Sequence, residues 1–149
     1  MRLSDDIASI LLEKDSDIWT VTPSQSVFEA VQMMADKGIG ALLVMVGKKL
    51  VGIISERDYA RKVVLKGKSS KDTQVAEIMT SPVIFVTPER SVDECMAIMT
   101  KSRIRHLPVM EQENVVGIIS IGDLVKWIIA EQEGRIQHLE NYITGKYPS

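Results

Sequence analysis

The strongest constraint on the fold is an internal repeat. Residues 21–64 align with residues 86–129 without a gap. The same five residues, Val-Gly-Ile-Ile-Ser, stand at 51–55 and again at 116–120. Self-similarity at a fixed spacing indicates that one structural unit is used twice. Because a single copy of about 60 residues would be a marginal fold, the sequence predicts two copies that share a core.

Each copy shows the same local pattern, which predicts the order β-α-β-β-α. β-prone runs at 18–21 and 83–86 end at Thr-Pro, because proline has no N–H for a strand ladder. A serine with a glutamate three residues later predicts a helix start at Ser26 and at Ser91. Gly38 is placed to end the first of these helices in a left-handed conformation. The other strands are predicted at 41–46, 50–54, 107–110 and 115–119, and second helices near Ser55 and Ser120.

The predicted helices that follow Ser26 and Ser91 each carry one apolar face. Such a face is typical of a helix that packs on a core. The expected core residues are Val27, Ala30, Val31 and Met34 in the first copy, and Val92, Cys95, Met96 and Met99 in the second.

The pattern predicts an α/β (α+β) fold, in which two repeats pack through their sheets with pseudo-twofold symmetry. We expect the first repeat with an N-terminal helix at 1–70, and the second with a C-terminal helix at 71–149. Flanking helices are predicted at 4–13 and 130–144 from apolar residues at helical spacing. Because such end helices commonly pack on a partner chain, they favour a homodimer.

Composition narrows the possible functions. The net charge is −2 and the isoelectric point about 5.7, which argues against nucleic acid, since its binders are usually basic. The sequence has no apolar run of the length that a membrane span needs. Its acidic start resembles neither a secretory signal nor a mitochondrial transit peptide. The single cysteine, Cys95, favours a reducing, cytoplasmic location.

Two kinds of segment carry a family resemblance. One is Arg105-His106-Leu107-Pro108-Val109 at a predicted strand, and the other is Gly-x-x-Ser-x-x-Asp at 52–58 and 117–123. With the repeat, they make the chain resemble a tandem pair of cystathionine-β-synthase (CBS) domains, the Bateman module, in small stand-alone bacterial proteins. The resemblance implies a regulatory module in which these segments hold the ribose and phosphate of an adenosine compound.

The Ser-x-x-Asp pattern also has a purely structural interpretation, because it can form a capping box at a helix start. Two features favour a ligand: aspartate is shorter than the glutamate preferred in such boxes, and each segment follows a strand that carries a glycine. A carboxylate can accept hydrogen bonds from both hydroxyls of a ribose diol. Both roles are compatible, with Ser55 and Ser120 as caps and Asp58 and Asp123 as ligand-binding residues.

Phosphate groups bind to helix N-termini and cationic side chains. The two copies offer different cations, which predicts two unequal sites around one central cleft. Each of these cations could instead be a solvated surface charge. Gly40 would let the backbone approach a ligand. The candidate cations are Arg57, Arg61 and Lys62 in the first copy, and Arg103, Arg105 and His106 in the second.

Adenine requires apolar walls and backbone polar groups. The family resemblance implies that these walls come from the first strand of each copy and the approach to the second. Plain core packing is the alternative for each residue. The implied residues are Ile18, Ile39 and Ala41 in the first copy, and Val83, Ile104 and Pro108 in the second.

No catalytic or metal-binding set is evident. Gly38-Ile39-Gly40 lies between a helix and a strand, whereas a dinucleotide fingerprint joins a strand to a helix. His106 and His138 have no Cys or carboxylate at metal-ligand spacing. We therefore expect a sensor and not an enzyme, binding AMP, ADP, ATP or NAD(H) without a metal of its own. It would signal to an effector protein or through its dimer. The alternative is a ligand-free structural pairing module.

Overall fold

The computed structural model describes residues 5–14 and 17–143, and only the backbone of residues 135–143. The chain is a mixed α+β protein. Its helices are α1 (Ala8–Glu13), α2 (Val27–Lys37), α3 (Glu56–Tyr59), α4 (Val75–Ile78), α5 (Val92–Ser102) and α6 (Ile121–Ile143), with a π-helical turn at Ala60–Val64 after α3. Its strands are β1 (Thr20–Val21), β2 (Ala41–Val46), β3 (Lys49–Ser55), β4 (His106–Glu111) and β5 (Asn114–Ser120).

The sheets of the two repeats differ in their first strand. The first repeat has the order β1-β2-β3, whereas the second pairs only β4 with β5. The prediction of a strand at 83–86 is wrong except at Val86, which forms a single parallel bridge to β4. The Val86 N–H donates to the Pro108 carbonyl at 3.0 Å, but proline has no N–H to extend the ladder. At the equivalent place in β2, Leu43 donates to the Trp19 carbonyl at 3.4 Å.

The predicted helix starts and the first helix end are confirmed. The Ser26 and Ser91 side chains accept hydrogen bonds from the N–H groups of Glu29 and Glu94, at 3.1 and 3.0 Å. Both glutamates reach back to the N–H of their serine, which completes the capping boxes. Gly38 has φ 66° and ψ 36°, a left-handed conformation that only glycine adopts at no steric cost.

Each repeat supplies a separate hydrophobic core. Of the core residues predicted on α2 and α5, Val31 and Met96 are only partly buried. Cys95 is fully buried in one of these cores, and this burial raises the pKa of its thiol to about 11. The predicted core residues that are buried are Val27, Ala30, Met34, Val92, Cys95 and Met99.

The two stretches that precede the repeats, which we call the lead-in segments, are residues 5–14 and 74–80. Neither packs against the repeat that directly follows it in sequence; each packs against the other repeat. The first contains α1 and places Ile7, 0% exposed, in the core built around α5 and α6. The second contains α4 and places Val75, 0% exposed, in the core built around α2. The lead-in segments are therefore exchanged between the repeats.

Two glycines at equivalent positions of β3 and β5 accept the exchanged segments. A Cβ atom on Gly117 would lie 2.6 Å from Cδ2 of Leu11, and one on Gly52 would lie 2.5 Å from Sδ of Met79. The first glycine of each Gly-x-x-Ser-x-x-Asp segment thus leaves room for a lead-in side chain. Packing alone therefore explains why glycine stands at these two positions, although the sequence pattern associates them with ligand binding.

The described residues group into two compact units. The second-repeat unit contains the first lead-in segment, residues 86–109 and the residues from 117 onward. The first-repeat unit contains residues 17–85 and 110–116. The division of the chain at residue 70, and the packing of the repeats through their sheets, stay predictions.

The C-terminal part differs from expectation in one respect. The helix predicted near Ser120 and the one predicted at 130–144 are a single helix, α6. No strong helix breaker stands between them, since Gly134 costs a helix only about 1 kcal/mol. Ser4 and Thr144, the outer ends of the two predicted flanking helices, lie outside the described residues. No described helix combines the length and apolar character that a membrane span requires.

Candidate functional site

The Ser-x-x-Asp segment of the first repeat stands where β3 runs into α3. The Ser55 side chain accepts from the Asp58 N–H at 3.1 Å. Oδ2 of Asp58 accepts from the N–H and from the hydroxyl of Ser55, both at 3.0 Å. This is a complete capping box.

The second repeat repeats this arrangement at the start of α6. Oδ2 of Asp123 accepts from the Ser120 N–H at 2.8 Å, and the Ser120 side chain accepts from the Asp123 N–H at 3.1 Å. Aspartate therefore forms the box in both repeats although it is shorter than the preferred glutamate, so its length does not favour the ligand role. Each aspartate caps its helix through Oδ2. A ligand role therefore has to rest on the other carboxylate oxygen, Oδ1.

The first N–H group of each of these helices is also engaged. The Glu56 N–H donates to the carbonyl of Gly40 at 3.0 Å, and the Ile121 N–H donates to the carbonyl of Arg105 at 2.8 Å. These contacts bring the predicted approach to each second strand against the Ser-x-x-Asp segment. They also occupy amides that the sequence offered to a phosphate, so phosphate binding there stays a prediction.

The second oxygen of Asp58 is held by two side chains. Oδ1 accepts from Nζ of Lys62 at 3.0 Å and from the hydroxyl of Thr80 at 3.3 Å. Lys62 also donates to the Ile78 carbonyl at 2.9 Å. Thr80 belongs to the second lead-in segment and was not predicted from the sequence. Lys62, predicted as a cation for phosphate, instead neutralises this carboxylate.

Asp123 is bound by a residue that the sequence did not identify. Nζ of Lys14 lies 2.7 Å from Oδ2 of Asp123 and donates to the Ile118 carbonyl at 2.8 Å. The side chains of Lys14 and Asp123 are 24% and 23% exposed. Burial alone would raise the pKa of Asp123, but the hydrogen bonds from Lys14 and Ser120 bring it below its ordinary value. Asp123 therefore stays a carboxylate at neutral pH.

His106 lies in the same neighbourhood. Burial lowers its pKa, and the positive charge of Lys14 lowers it further. His106 is therefore neutral at pH 7, and its predicted role as a phosphate-binding cation is not supported at that pH. Arg105 is exposed, and Arg103 ends α5 with φ 56°, where Gly38 ends α2.

The structure divides the predicted site residues between the two units. One shared cleft therefore stays a prediction. The adenine-wall residues range from buried Ala41 and Pro108 to Ile18, which is 38% exposed. The first-repeat unit holds Ile18, Ile39, Gly40, Ala41, Ser55, Arg57, Asp58, Arg61 and Val83, and the second-repeat unit holds Ile104, Arg105, His106, Pro108, Ser120 and Asp123.

Three cavities contain predicted site residues. One of about 190 Å³ in the second-repeat unit is lined by Lys14, Asp123, Lys126 and Trp127, with residues of α1. Two larger ones in the first-repeat unit, of about 1040 and 320 Å³, contain Val83 and Ile18 respectively. The smallest cavity is the relevant one, because it contains a carboxylate that the sequence assigned to ligand binding. Among the described residues, no cluster of His, Cys, Asp or Glu could hold a metal ion.

Comparison with known proteins places this geometry in context. The CBS domain family matches residues 7–65 and 75–130. The mitochondrial CBS domain-containing protein CBSX3 of Arabidopsis thaliana is 42% identical over 135 residues, which cover 87% of this chain and 65% of the plant protein.

Two solved structures are similar along most of the chain. A protein with CBS domains from Burkholderia ambifaria MC40-6, described as a signal-transduction protein, is 54% identical with a TM-score of 0.83 and covers 86% of this chain and 96% of its own. The CBS domain pair of protein MJ0100 is 28% identical with a TM-score of 0.73 and covers 85% and 98%. That structure is a complex with 5′-methylthioadenosine and S-adenosyl-L-methionine.

Proposed function

The chain belongs to the CBS domain family, and from this membership we propose that it is a regulatory module that binds an adenine nucleotide and is not an enzyme. The ligand is of the AMP, ADP, ATP or NAD(H) type. The adenosine-containing ligands of the MJ0100 pair support this class, since the moiety shared by all of them is adenosine.

The observation that carries the proposal is the open oxygen of Asp123. Oδ1 of Asp123 accepts no hydrogen bond from the part of the chain that the structure describes, although the carboxylate lines a cavity. A carboxylate oxygen has two acceptor positions, so Oδ1 can accept from a ligand without giving up a contact within the described residues. A ribose hydroxyl is a donor that suits this open oxygen.

Asp58 is the weaker of the two candidates. Its Oδ1 accepts from Lys62 and Thr80, and its Oδ2 accepts twice from Ser55. All four of its acceptor positions are thus in use. Neither oxygen of Asp58 has an open acceptor position, whereas Asp123 keeps Oδ1 open to a ligand, so we assign the primary ribose contact to Asp123.

The ligand-free structural module remains the second candidate. It is favoured by the capping boxes, because Asp58 and Asp123 each have a structural role without any ligand. The two candidates differ in what they require of the carboxylate charge. A capping box tolerates an asparagine, whose side-chain oxygen still accepts a hydrogen bond, whereas the grip on a ribose diol is weakened by it.

We also propose a homodimer that transmits binding to an effector protein in the cytoplasm. Val125 and Ile129 lie one turn apart on α6 and are 41% and 49% exposed, and Leu12 on α1 is 89% exposed. Exposed apolar residues on successive turns of one helix, such as Val125 and Ile129, are typical of an interaction surface. Both helices belong to the unit that contains Asp123.

A thermal-shift panel with AMP, ADP, ATP, NAD, NADH and S-adenosylmethionine tests the function. At ligand ten times its dissociation constant, binding adds about 1.4 kcal/mol to the free energy of unfolding. This raises the melting temperature by about 3–5 °C for a chain of this size. Asp123→Asn should abolish the shift, and the matched variant Asp58→Asn should retain most of it. No shift with any of the six compounds supports the structural module instead.

A further inference from the structure

The contact between Lys14 and Asp123 joins the candidate ligand site to the N-terminal lead-in segment. The two residues are 109 positions apart in sequence, and their charged atoms are 2.7 Å apart. Lys14 follows α1 directly, and its N–H donates to the Ile10 carbonyl at 2.9 Å. The ammonium group is therefore fixed to the end of α1 by the backbone and to the site by its side chain.

A count of acceptor positions shows what this contact blocks. Oδ2 of Asp123 accepts from the Ser120 N–H at 2.8 Å and from Nζ of Lys14 at 2.7 Å, which uses both of its acceptor positions. The Ser120 bond is part of the start of α6 and cannot be given up without fraying the helix. A ribose diol that places one hydroxyl on each carboxylate oxygen must therefore displace Lys14.

The cavity next to the contact leads to the same conclusion. With Lys14 in place it measures about 190 Å³, whereas pockets that hold small molecules are about 300–1,000 Å³. Lys14, Ile10 and Glu13 all belong to the first lead-in segment and form one side of the cavity. Withdrawal of this segment is the simplest way to enlarge it.

We propose that Lys14 is an internal competitor of the ligand at Asp123, so that occupancy of the site releases the C-terminal end of α1. This inference rests on the proposed function and adds its regulation. Binding and release are two sides of one equilibrium: a ligand that displaces Lys14 loosens α1, and anything that holds α1 in place weakens the ligand.

The first repeat provides a comparison within the same chain. Lys62 pairs with Asp58 at 3.0 Å, but the two are only four positions apart on the same helical segment. Lys62 also donates to the Ile78 carbonyl in the second lead-in segment, so its displacement breaks one hydrogen bond to that segment. Lys62 itself stays on the helical segment of Asp58, whereas Lys14 is part of the lead-in segment that its displacement would release.

The test measures AMP binding by isothermal titration calorimetry to the full chain and to Lys14→Met, which keeps the length of the side chain and removes its charge. A partly exposed ion pair contributes little, so we expect AMP to bind about fivefold more tightly to Lys14→Met than to the wild type. The matched control is Lys126→Met, because Lys126 lines the same cavity and forms no ion pair with the described residues. It should not bind AMP more tightly than the wild type.

Hydrogen exchange on the wild-type protein provides a second measurement that needs no variant. The N–H groups of Leu11 and Lys14, bonded to the carbonyls of Ile7 and Ile10, should exchange faster when AMP is saturating. Unchanged exchange, or AMP affinity of Lys14→Met equal to or below that of the wild type, overturns the competition while the proposed function stands. If AMP binds neither protein, the competition is also overturned. The proposed function fails as well only if no compound of the thermal-shift panel binds.

Discussion

Truncation of Ile7 should destabilise the second repeat, although Ile7 precedes the first. Its side chain is 0% exposed in the core that contains α5 and α6. Replacing a buried isoleucine with alanine costs about 2–5 kcal/mol. Because Ile7 lies in a short segment that can partly adjust to a smaller side chain, we expect Ile7→Ala to cost about 2–3 kcal/mol, in the lower part of that range. For a chain of this length, that lowers the melting temperature by about 5–10 °C.

The two tryptophans allow each core to be followed separately during urea unfolding. Trp127 packs against the second-repeat core, and Trp19 packs against the first-repeat core. In a Trp19→Phe background, Ile7→Ala should lower the unfolding midpoint reported by Trp127. Leu65→Ala is the matched control, since Leu65 is 77% exposed and its truncation should change stability by no more than about 0.5 kcal/mol.

Two results would refute this reasoning. One is an unchanged Trp127 midpoint in Ile7→Ala. The other is a drop reported only by Trp19, in a Trp127→Phe background, which would place the first lead-in segment on the repeat that follows it.

Three further predictions concern glycine, histidine and cysteine. Gly38→Ala should lower the free energy of unfolding in urea by about 1 kcal/mol, because φ is +66° there. Gly134→Ala, in open space on α6, should raise it by about 0.5–1 kcal/mol. Changes of the same sign in both variants would contradict the backbone argument. Burial and the charge of Lys14 lower the pKa of His106 in the folded protein. Its contribution to stability is therefore complete above about pH 6.5, the ordinary pKa of an unfolded histidine. That contribution is lost as the pH falls through the lower pKa of the folded state. His106→Asn should flatten that loss in unfolding curves recorded from about pH 7 to 5, and an unchanged slope would count against it. Cys95 is buried with a pKa of about 11, so a thiol reagent should modify it only as fast as the protein unfolds; modification within seconds in native buffer would contradict this.

The features that could be predicted from the sequence are those determined by local chemistry. The capping boxes at Ser26 and Ser91 and the left-handed Gly38 depend on residues within one helical turn, and all are confirmed. The missing strand before β4 could not be recognised from the run at 83–86, because its cause, Pro108, lies on the strand opposite.

The candidate site was only partly predictable for the same reason. Asp58 and Asp123 are recognisable because each repeats at a fixed place behind Gly-Ile-Ile-Ser. Their partners are not, since Thr80 and Lys14 reach them from lead-in segments that lie 22 and 109 positions away. The local sequence around each aspartate does not indicate which lead-in segment will pack against it.

The exchange of lead-in segments means that the halves of the chain are not self-sufficient. If the chain is cut within the polar stretch after residue 65, each fragment keeps a helix whose burial site is on the other fragment. The two fragments should therefore recover a native-like fold only when mixed. The same exchange between two intact chains would form an intertwined dimer with every local contact preserved.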